Sequence, residues 1–149
     1  MMYLILFFLN KLEPARKVFA HCDIPCGIYT AEPALTAAQT VAKMVEKLYE
    51  QVPPADDADR NKWLEFENTL ARCIMVKEEH AEKCKRELLI LWTDYFTPAH
   101  LEKFPNLHET LWRATKLCSQ VKQQVSREKA KELQTAVQEI ADMFAQSKK

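Results

Sequence analysis

The residues best suited to chemistry lie in the segment HCDIPCGIYT, which begins at His21. The segment contains two cysteines, Cys22 and Cys26, a proline (Pro25) and the only glycine of the chain, Gly27. Imidazole and thiolate groups are strong ligands of transition metals. Proline and glycine favour turns and interrupt helices. The composition therefore predicts an irregular metal-binding arm.

Cleavage of the chain after Ala20 would make this arm a stronger chelator. The new amine of His21 and the amide nitrogen of Cys22 would close one five-membered ring on a metal ion. The same amide nitrogen and the Cys22 thiolate would close a second ring of similar size. Cys26, brought back by the turn at Pro25, supplies another thiolate, and the His21 imidazole can approach axially. Two nitrogens and two sulfurs in one plane indicate Ni(II) or Cu(II). The spacing alone does not choose between them.

The same ligand set predicts redox chemistry. Thiolates and a deprotonated amide are strong electron donors, and they make the Ni(III) state accessible. An axial nitrogen would stabilise that state further. A metal that cycles by one electron on an exposed arm suits a very small substrate.

Residues 1–20 are predicted to be a removable leader. The apolar run MMYLILFFLN is too short to span a membrane, which takes about 20 residues. Val18-Phe19-Ala20 has the small residues that signal peptidase favours, but no positive charge precedes the apolar run, so secretion is the weaker interpretation. The mature domain is then 21–149, with a hook at 21–32 and a helical part at 33–149.

Length and composition restrict the class of protein. The chain has 149 residues, which corresponds to one domain, and its 21 basic and 21 acidic residues give no net charge. A nucleic-acid partner is therefore not expected. Five cysteines are an odd number without the pattern of a disulfide framework. This favours a reducing compartment, and we expect a cytoplasmic protein without a membrane partner in the mature form.

Four segments, divided by prolines and, before the last one, by Ser126, have the apolar periodicity of amphipathic helices. They predict an all-α fold, an antiparallel four-helix bundle, with Ser126 as the N-cap of the last helix. The apolar stripes contain Ala34, Ala38, Val41, Val45 and Leu48 in the first segment, Trp63, Phe66, Leu70, Cys73, Ile74, Ala81, Cys84, Leu88 and Leu91 in the second, Leu107, Leu111, Ala114, Cys118, Val121 and Val125 in the third, and Ala130, Leu133, Val137, Ile140 and Phe144 in the fourth.

Two motifs resemble a known family. HCDIPCGIY is similar to the nickel hook of nickel-containing superoxide dismutases, and LWTDYF, beginning at Leu91, resembles a second motif of that family, as do Pro98, His100, Glu102-Lys103 and Pro105 after it. The resemblance covers residues 17–149. It implies a homohexamer of four-helix bundles, a leader removed by a dedicated peptidase, and disproportionation of superoxide to oxygen and hydrogen peroxide.

The resemblance also implies roles for residues of the hook. His21 would give its amine and axial imidazole to one nickel ion per subunit. Cys22 would give its amide and thiolate, and Cys26 its thiolate. The hook would be shaped by Asp23, Pro25 and Gly27.

The resemblance also implies roles for residues around the metal that are not ligands. Tyr29 and Tyr95 would screen the vacant axial face of the metal and order water there, and Trp92 and Asp94 would belong to the same supporting wall. In the family, a glutamate and an arginine often hold the axial imidazole. The sequence departs from this pattern, because the matching positions here are Ala37 and His80. We expect His80 to act as a neutral hydrogen-bond partner, since such partners tune metal ligands.

Other interpretations remain open at this point. The arm could bind nickel or copper without turnover, or the chain could be a structural helical protein tethered by its apolar N-terminus. Cys73, His80 and Cys84 share one helix face and could form a second metal site. Buried packing thiols are the favoured interpretation of these cysteines and of Cys118.

Overall fold

A computed structural model describes residues 27–148. The order of elements is α1, a long α2, a π-helical turn, a short α3, α4 and α5. Their bounds are Glu32–Tyr49 for α1, Arg60–Ile90 for α2, Leu91–Tyr95 for the π-helical turn, Pro98–Lys103 for α3, Leu107–Gln123 for α4 and Arg127–Ser147 for α5.

The four long helices form a ring in which each packs against two neighbours. Both α1 and α4 contact α2 and α5, so α1 lies diagonally opposite α4. The end of α1 meets the start of α5, because Arg127 donates to the Glu46 carboxylate at 3.0 Å. The end of α2 meets the start of α4, where the Trp92 indole donates to His108 Nδ1 at 2.8 Å. The predicted antiparallel four-helix bundle is confirmed.

Side-chain caps begin two of these helices. The carboxylate of Asp59 accepts hydrogen bonds from the backbone N–H groups of Asn61 and Lys62 ahead of α2. Ser126 Oγ accepts from the Lys129 N–H ahead of α5, as the sequence predicts. Such caps satisfy N–H groups that have no partner within the helix.

Helix α2 extends beyond its neighbours and leaves part of its apolar stripe uncovered. It has 31 residues, whereas α1 has 18. At about 1.5 Å per residue, these lengths differ by roughly 20 Å. Ile74 is 41% exposed and Met75 68% exposed, and Trp63 and Phe66 contact each other edge to face. The prediction of a core role for Ile74 is therefore wrong. So is that for Val125, which lies beyond the end of α4.

The region between α2 and α4 differs from a simple helix end. The α-helical pattern stops at Ile90, and the chain continues as a π-helical turn in which the Phe96 N–H donates to the Leu91 carbonyl at 3.0 Å. Short α3 follows, capped by Thr97 and His100 in a capping box. π-helical turns are rare and occur frequently at functional sites. None of the helices within residues 27–148 combines the length and apolar character that a membrane span requires.

Candidate active site

The predicted site residues divide into two groups. The proposed metal ligands and two shaping residues lie outside the described residues, namely His21, Cys22, Asp23, Pro25 and Cys26. Gly27, which follows Cys26 directly, is the first residue that the structure describes. The supporting residues predicted on the bundle can therefore be located, whereas the ligand set stays a prediction.

A cavity of about 230 Å³ lies where the described chain begins. It is lined by Gly27, Tyr29, Asp94, Tyr95 and Lys148. Four of these residues belong to the predicted set, and they come from two parts of the chain. The π-helical turn carries Asp94 and Tyr95, so it places the LWTDYF motif beside the end of the HCDIPCG segment.

Gly27 has a conformation that explains its residue type. Its φ is +96°, a value that residues with a Cβ rarely adopt. A Cβ added there would meet no atom within 4 Å, so the requirement comes from the backbone itself and not from crowding. The only glycine of the sequence thus lies where the chain turns from the predicted hook toward the bundle.

The two predicted tyrosines form one wall of the cavity. Tyr29 is buried, and its ring centroid lies 5.6 Å from that of Tyr95. Tyr95 also packs against Phe144 at 4.5 Å and stacks on His100 at 5.6 Å, with only 14° between the ring planes. Aromatic contacts in this distance range stabilise beyond the area that they bury. The position of Tyr95 is therefore fixed by rings from α3 and α5.

The Tyr95 hydroxyl is held by Ser147, a residue that no sequence motif points to. Tyr95 OH lies 2.7 Å from Ser147 Oγ, and Ser147 Oγ donates to the Phe144 carbonyl at 2.7 Å. A serine hydroxyl has one hydrogen, so the phenol is the donor in the first of these bonds. The last turn of α5 thus orients the phenol group of Tyr95.

Lys148, at the C-terminal end of α5, also lines the cavity. Its Nζ donates to the Tyr29 carbonyl at 3.0 Å and lies 4.2 Å from the centre of the Phe144 ring. This bond joins the last described residue to the segment that precedes α1. Sequence reasoning missed Lys148 because a terminal lysine pair resembles a solvated helix end.

Comparison with known proteins assigns the family. The family model for nickel-containing superoxide dismutase matches residues 16–148, which is most of the chain. The chain belongs to the nickel-containing superoxide dismutase family.

Relatives of known name agree with this assignment. "Superoxide dismutase [Ni]" of Streptomyces seoulensis is 35% identical over 136 residues, covering 91% of this chain and 94% of that protein. The protein of the same name from Streptomyces coelicolor is 34% identical over 109 residues, covering 73% of each chain. A native nickel superoxide dismutase structure aligns with a TM-score of 0.70 and 31% identity, covering 87% of this chain and all of that one. The four-helix bundle is thus shared with this superoxide dismutase family.

Trp92 lies on the other side of the π-helical turn in this family member. Its indole N–H donates to His108 Nδ1, and the two rings lie 6.0 Å apart. Trp92 does not line the cavity formed by the described residues, while Asp94 does. The structure thus brings Tyr29, Asp94 and Tyr95 together and directs Trp92 toward α4.

His80 and Ala37 are the residues at which we expect the sequence to depart from the superoxide dismutase family. Ala37 is buried in the core, and His80 on α2 is half-buried. The buried His80 Nδ1 has no hydrogen-bond partner among residues 27–148. A buried polar atom usually has a partner. His80 is therefore suited to a hydrogen bond with a group outside the described residues.

The remaining cysteines of this superoxide dismutase family member are packing residues. Cys73, Cys84 and Cys118 are free and buried. A hydrogen bond with Cys118 and burial raise the pKa of the Cys84 thiol well above its usual value, so it stays protonated. No cluster of three or more potential ligands exists within residues 27–148. The three thiols are buried, as the packing interpretation predicts.

Proposed function

We propose that the chain is a nickel-dependent superoxide dismutase, which converts two superoxide anions and two protons into oxygen and hydrogen peroxide. The observation that carries this proposal is the cavity at Gly27 in a chain of this family. Gly27, which directly follows Cys26, lines this cavity together with Tyr29 and Tyr95. A cavity of about 230 Å³ has ample room for a diatomic anion such as superoxide.

Nickel would be held by His21, Cys22 and Cys26, as the sequence predicts. The residues present fit this group: the donor set combines nitrogen and thiolate ligands, Gly27 provides the turn that follows Cys26, and His80 presents a buried nitrogen without a described partner. When bound, nickel supplies one-electron oxidation and reduction.

The residues of the bundle would control access and protons. Tyr29 and Tyr95 line the cavity, and the Tyr95 hydroxyl, which donates its hydrogen to Ser147, is a fixed acceptor beside it. Asp94 lines the same cavity, so it contributes to the supporting wall. Trp92 supports this wall from the other side of the π-helical turn through its bond to His108. Asp23 and Pro25 would shape the hook together with Gly27.

Maturation would require removal of residues 1–20 by a leader peptidase. Only then does His21 have a free amine, which is a more basic ligand than an amide nitrogen. The mature domain would be 21–149, with the hook at 21–32. The family match begins at residue 16, so it includes the last residues of the predicted leader as well as His21. This supports a region around the cleavage position that the chain shares with the family.

His80 would orient the axial imidazole of His21. Its buried Nδ1, which has no partner among the described residues, supports this role. Because Ala37 stands in place of an acidic residue, the His21 imidazole would be held by the His80 imidazole. Neither ring carries a fixed negative charge.

Assembly would bury the apolar surface of α2, and a homohexamer is the expected state. Exposed apolar side chains on α2 support contacts between subunits, since large exposed apolar patches mark interaction sites; they include Leu64, Ile74, Met75 and Leu89. The odd number of cysteines supports a cytoplasmic location, and zero net charge gives no support for a nucleic-acid partner.

The decisive experiment compares a chain that begins at His21 with one that retains Ala20. We expect the first to bind one nickel ion per chain and to accelerate dismutation, measured by pulse radiolysis, well beyond dissolved nickel salt. Retention of Ala20 should lower both values, since it replaces the amine of His21 with an amide. Nickel binding without acceleration would identify a non-catalytic nickel- or copper-binding bundle. Light scattering of the trimmed protein tests the hexamer.

A further inference from the structure

The cavity at Gly27 has one positively charged residue among its described lining residues, Lys148. Its Nζ is held by the Tyr29 carbonyl at 3.0 Å and by the Phe144 ring at 4.2 Å. These two contacts come from the segment before α1 and from the last turns of α5. The ammonium group of Lys148 therefore has a defined place, unlike the charge of a freely rotating surface lysine.

The bond to Tyr29 is unusual for a lysine at a helix end. Lysines near a C-terminus commonly donate to the last carbonyls of their own helix. Here Lys103 from α3 fills that role, because its Nζ donates to the Gln146 carbonyl at 2.7 Å. Lys148 reaches across to the segment leading from the hook instead. Its position is thus tied to the segment that lines the cavity as well as to Phe144 of α5.

The charges around the cavity make this lysine important for an anion. Residues 21–149 contain 18 basic and 20 acidic residues, so the overall field of the trimmed chain does not attract superoxide. Asp94 lines the same cavity and, when ionised, repels an anion. An ammonium group has three N–H donors, and the Tyr29 carbonyl takes one of them. The remaining donors and the charge are available to an incoming anion.

We propose that Lys148 guides the superoxide anion into the cavity and fixes the segment from which the hook extends. This inference rests on the proposed dismutase function. Charged groups at a cleft raise the rate of encounter with an oppositely charged substrate, and added salt screens this effect. Lys148 is thus a substrate-guiding and positioning residue, coupled to the hook through Tyr29, three residues after Cys26.

The test uses three variants of the trimmed, nickel-loaded protein. Lys148→Met keeps most of the apolar stem and removes the charge, whereas Lys148→Arg keeps the charge and the donors. Lys47→Met removes an exposed charge at the opposite end of α1 and controls for net charge. The second-order rate constant, divided by bound nickel, is measured by pulse radiolysis at several ionic strengths. Hydrogen exchange of residues 27–31 gives a readout that is independent of activity.

We expect Lys148→Met to lower the rate constant on the order of tenfold at low ionic strength and to flatten its salt dependence. Exchange at residues 27–31 should become faster. Lys148→Arg and Lys47→Met should resemble the parent protein in both measurements. If Lys148→Met keeps the parent's salt dependence while the parent is active, the guiding role is wrong and the dismutase function stands. An inactive parent with a full nickel content would overturn the proposed function itself.

Discussion

The ring of Tyr29 lies 5.6 Å from the ring of Tyr95, with an angle of 55° between their planes. Tyr29 belongs to the segment before α1, and Tyr95 ends the π-helical turn after α2. This contact, together with the Lys148 bond to the Tyr29 carbonyl, joins the segment before α1 to the ends of α2 and α5, which meet at one end of the bundle. The site is therefore assembled from three distant parts of the chain.

Replacement of Tyr95 by phenylalanine separates the role of its hydroxyl from that of its ring. The ring contacts with Tyr29 and Phe144 remain, and only the hydrogen bond to Ser147 is lost. We expect a loss of about 1 kcal/mol in the free energy of unfolding. We also expect reduced dismutation per bound nickel, because a hydroxyl that can accept a hydrogen bond beside the cavity disappears.

The matched control for this change is Ser147→Ala, which removes the same bond but keeps the phenol. Unfolding in urea and pulse radiolysis give the two quantities. If Ser147→Ala lowers activity as much as Tyr95→Phe, orientation of the phenol is the important factor. Equal activity of Tyr95→Phe and the parent protein would exclude a role for the hydroxyl.

Replacement of Gly27 by alanine should weaken nickel binding without introducing a clash. The cavity side of Gly27 has room for a methyl group, but a φ of +96° is strained for alanine by about 1–2 kcal/mol. The chain would relieve this strain by changing the direction of the segment before it. We expect roughly tenfold weaker nickel affinity, measured by chelator competition.

Gly27→Asn serves as the comparison, since asparagine tolerates positive φ better than alanine does. Its nickel affinity should lie between those of the parent protein and the alanine variant. An alanine variant with the parent's affinity would show that the backbone at Gly27 does not control the hook.

The sequence predicts the bundle because prolines and apolar stripes are local signals. Ser126 begins α5 as a local cap, as predicted. How far α2 extends beyond the bundle depends instead on the lengths of the neighbouring helices. The apolar stripe of α2, which includes the exposed Ile74, carries no information about those lengths. The π-helical turn at Leu91–Tyr95 has no sequence period of its own.

The candidate site shows the same division between local and tertiary signals. Gly27 and the two tyrosines could be selected from motifs that resemble a family. Ser147 and Lys148 could not, because their roles depend on where the end of α5 meets Tyr95 and the segment before α1. Tertiary contact alone gives these two residues their place at the cavity.

Replacement of His80 by alanine should change the pH dependence of activity more than its maximum. His80 Nδ1 is buried without a partner among residues 27–148, and loss of the hydrogen bond proposed for it would change the basicity of the His21 imidazole. We expect activity to survive, with a shifted pH profile. His80→Gln keeps a hydrogen-bonding group, so its activity should exceed that of the alanine variant. Profiles identical to that of the parent protein would rule out this role.

The buried Lys77 should determine how stability changes at alkaline pH. Its Nζ donates to the carbonyls of Val121 and Lys122, at 2.6 and 2.8 Å, at the end of α4. Burial lowers the pKa of Lys77 from its usual 10.5, so the folded state releases this proton before the unfolded state does. Between the lowered pKa and 10.5 the unfolded chain binds more protons, and Lys77 therefore makes the free energy of unfolding rise with pH.

Lys77→Met removes both hydrogen bonds and this titration. We expect it to lower the free energy of unfolding by about 1–3 kcal/mol near neutral pH, since two carbonyls at the end of α4 lose their donor. The deficit should increase as the pH rises toward 10.5, because only the parent protein gains stability from Lys77. Urea unfolding at several pH values measures both effects, with Lys47→Met as the exposed control. A deficit that stays constant or shrinks with rising pH would contradict the lowered pKa of Lys77.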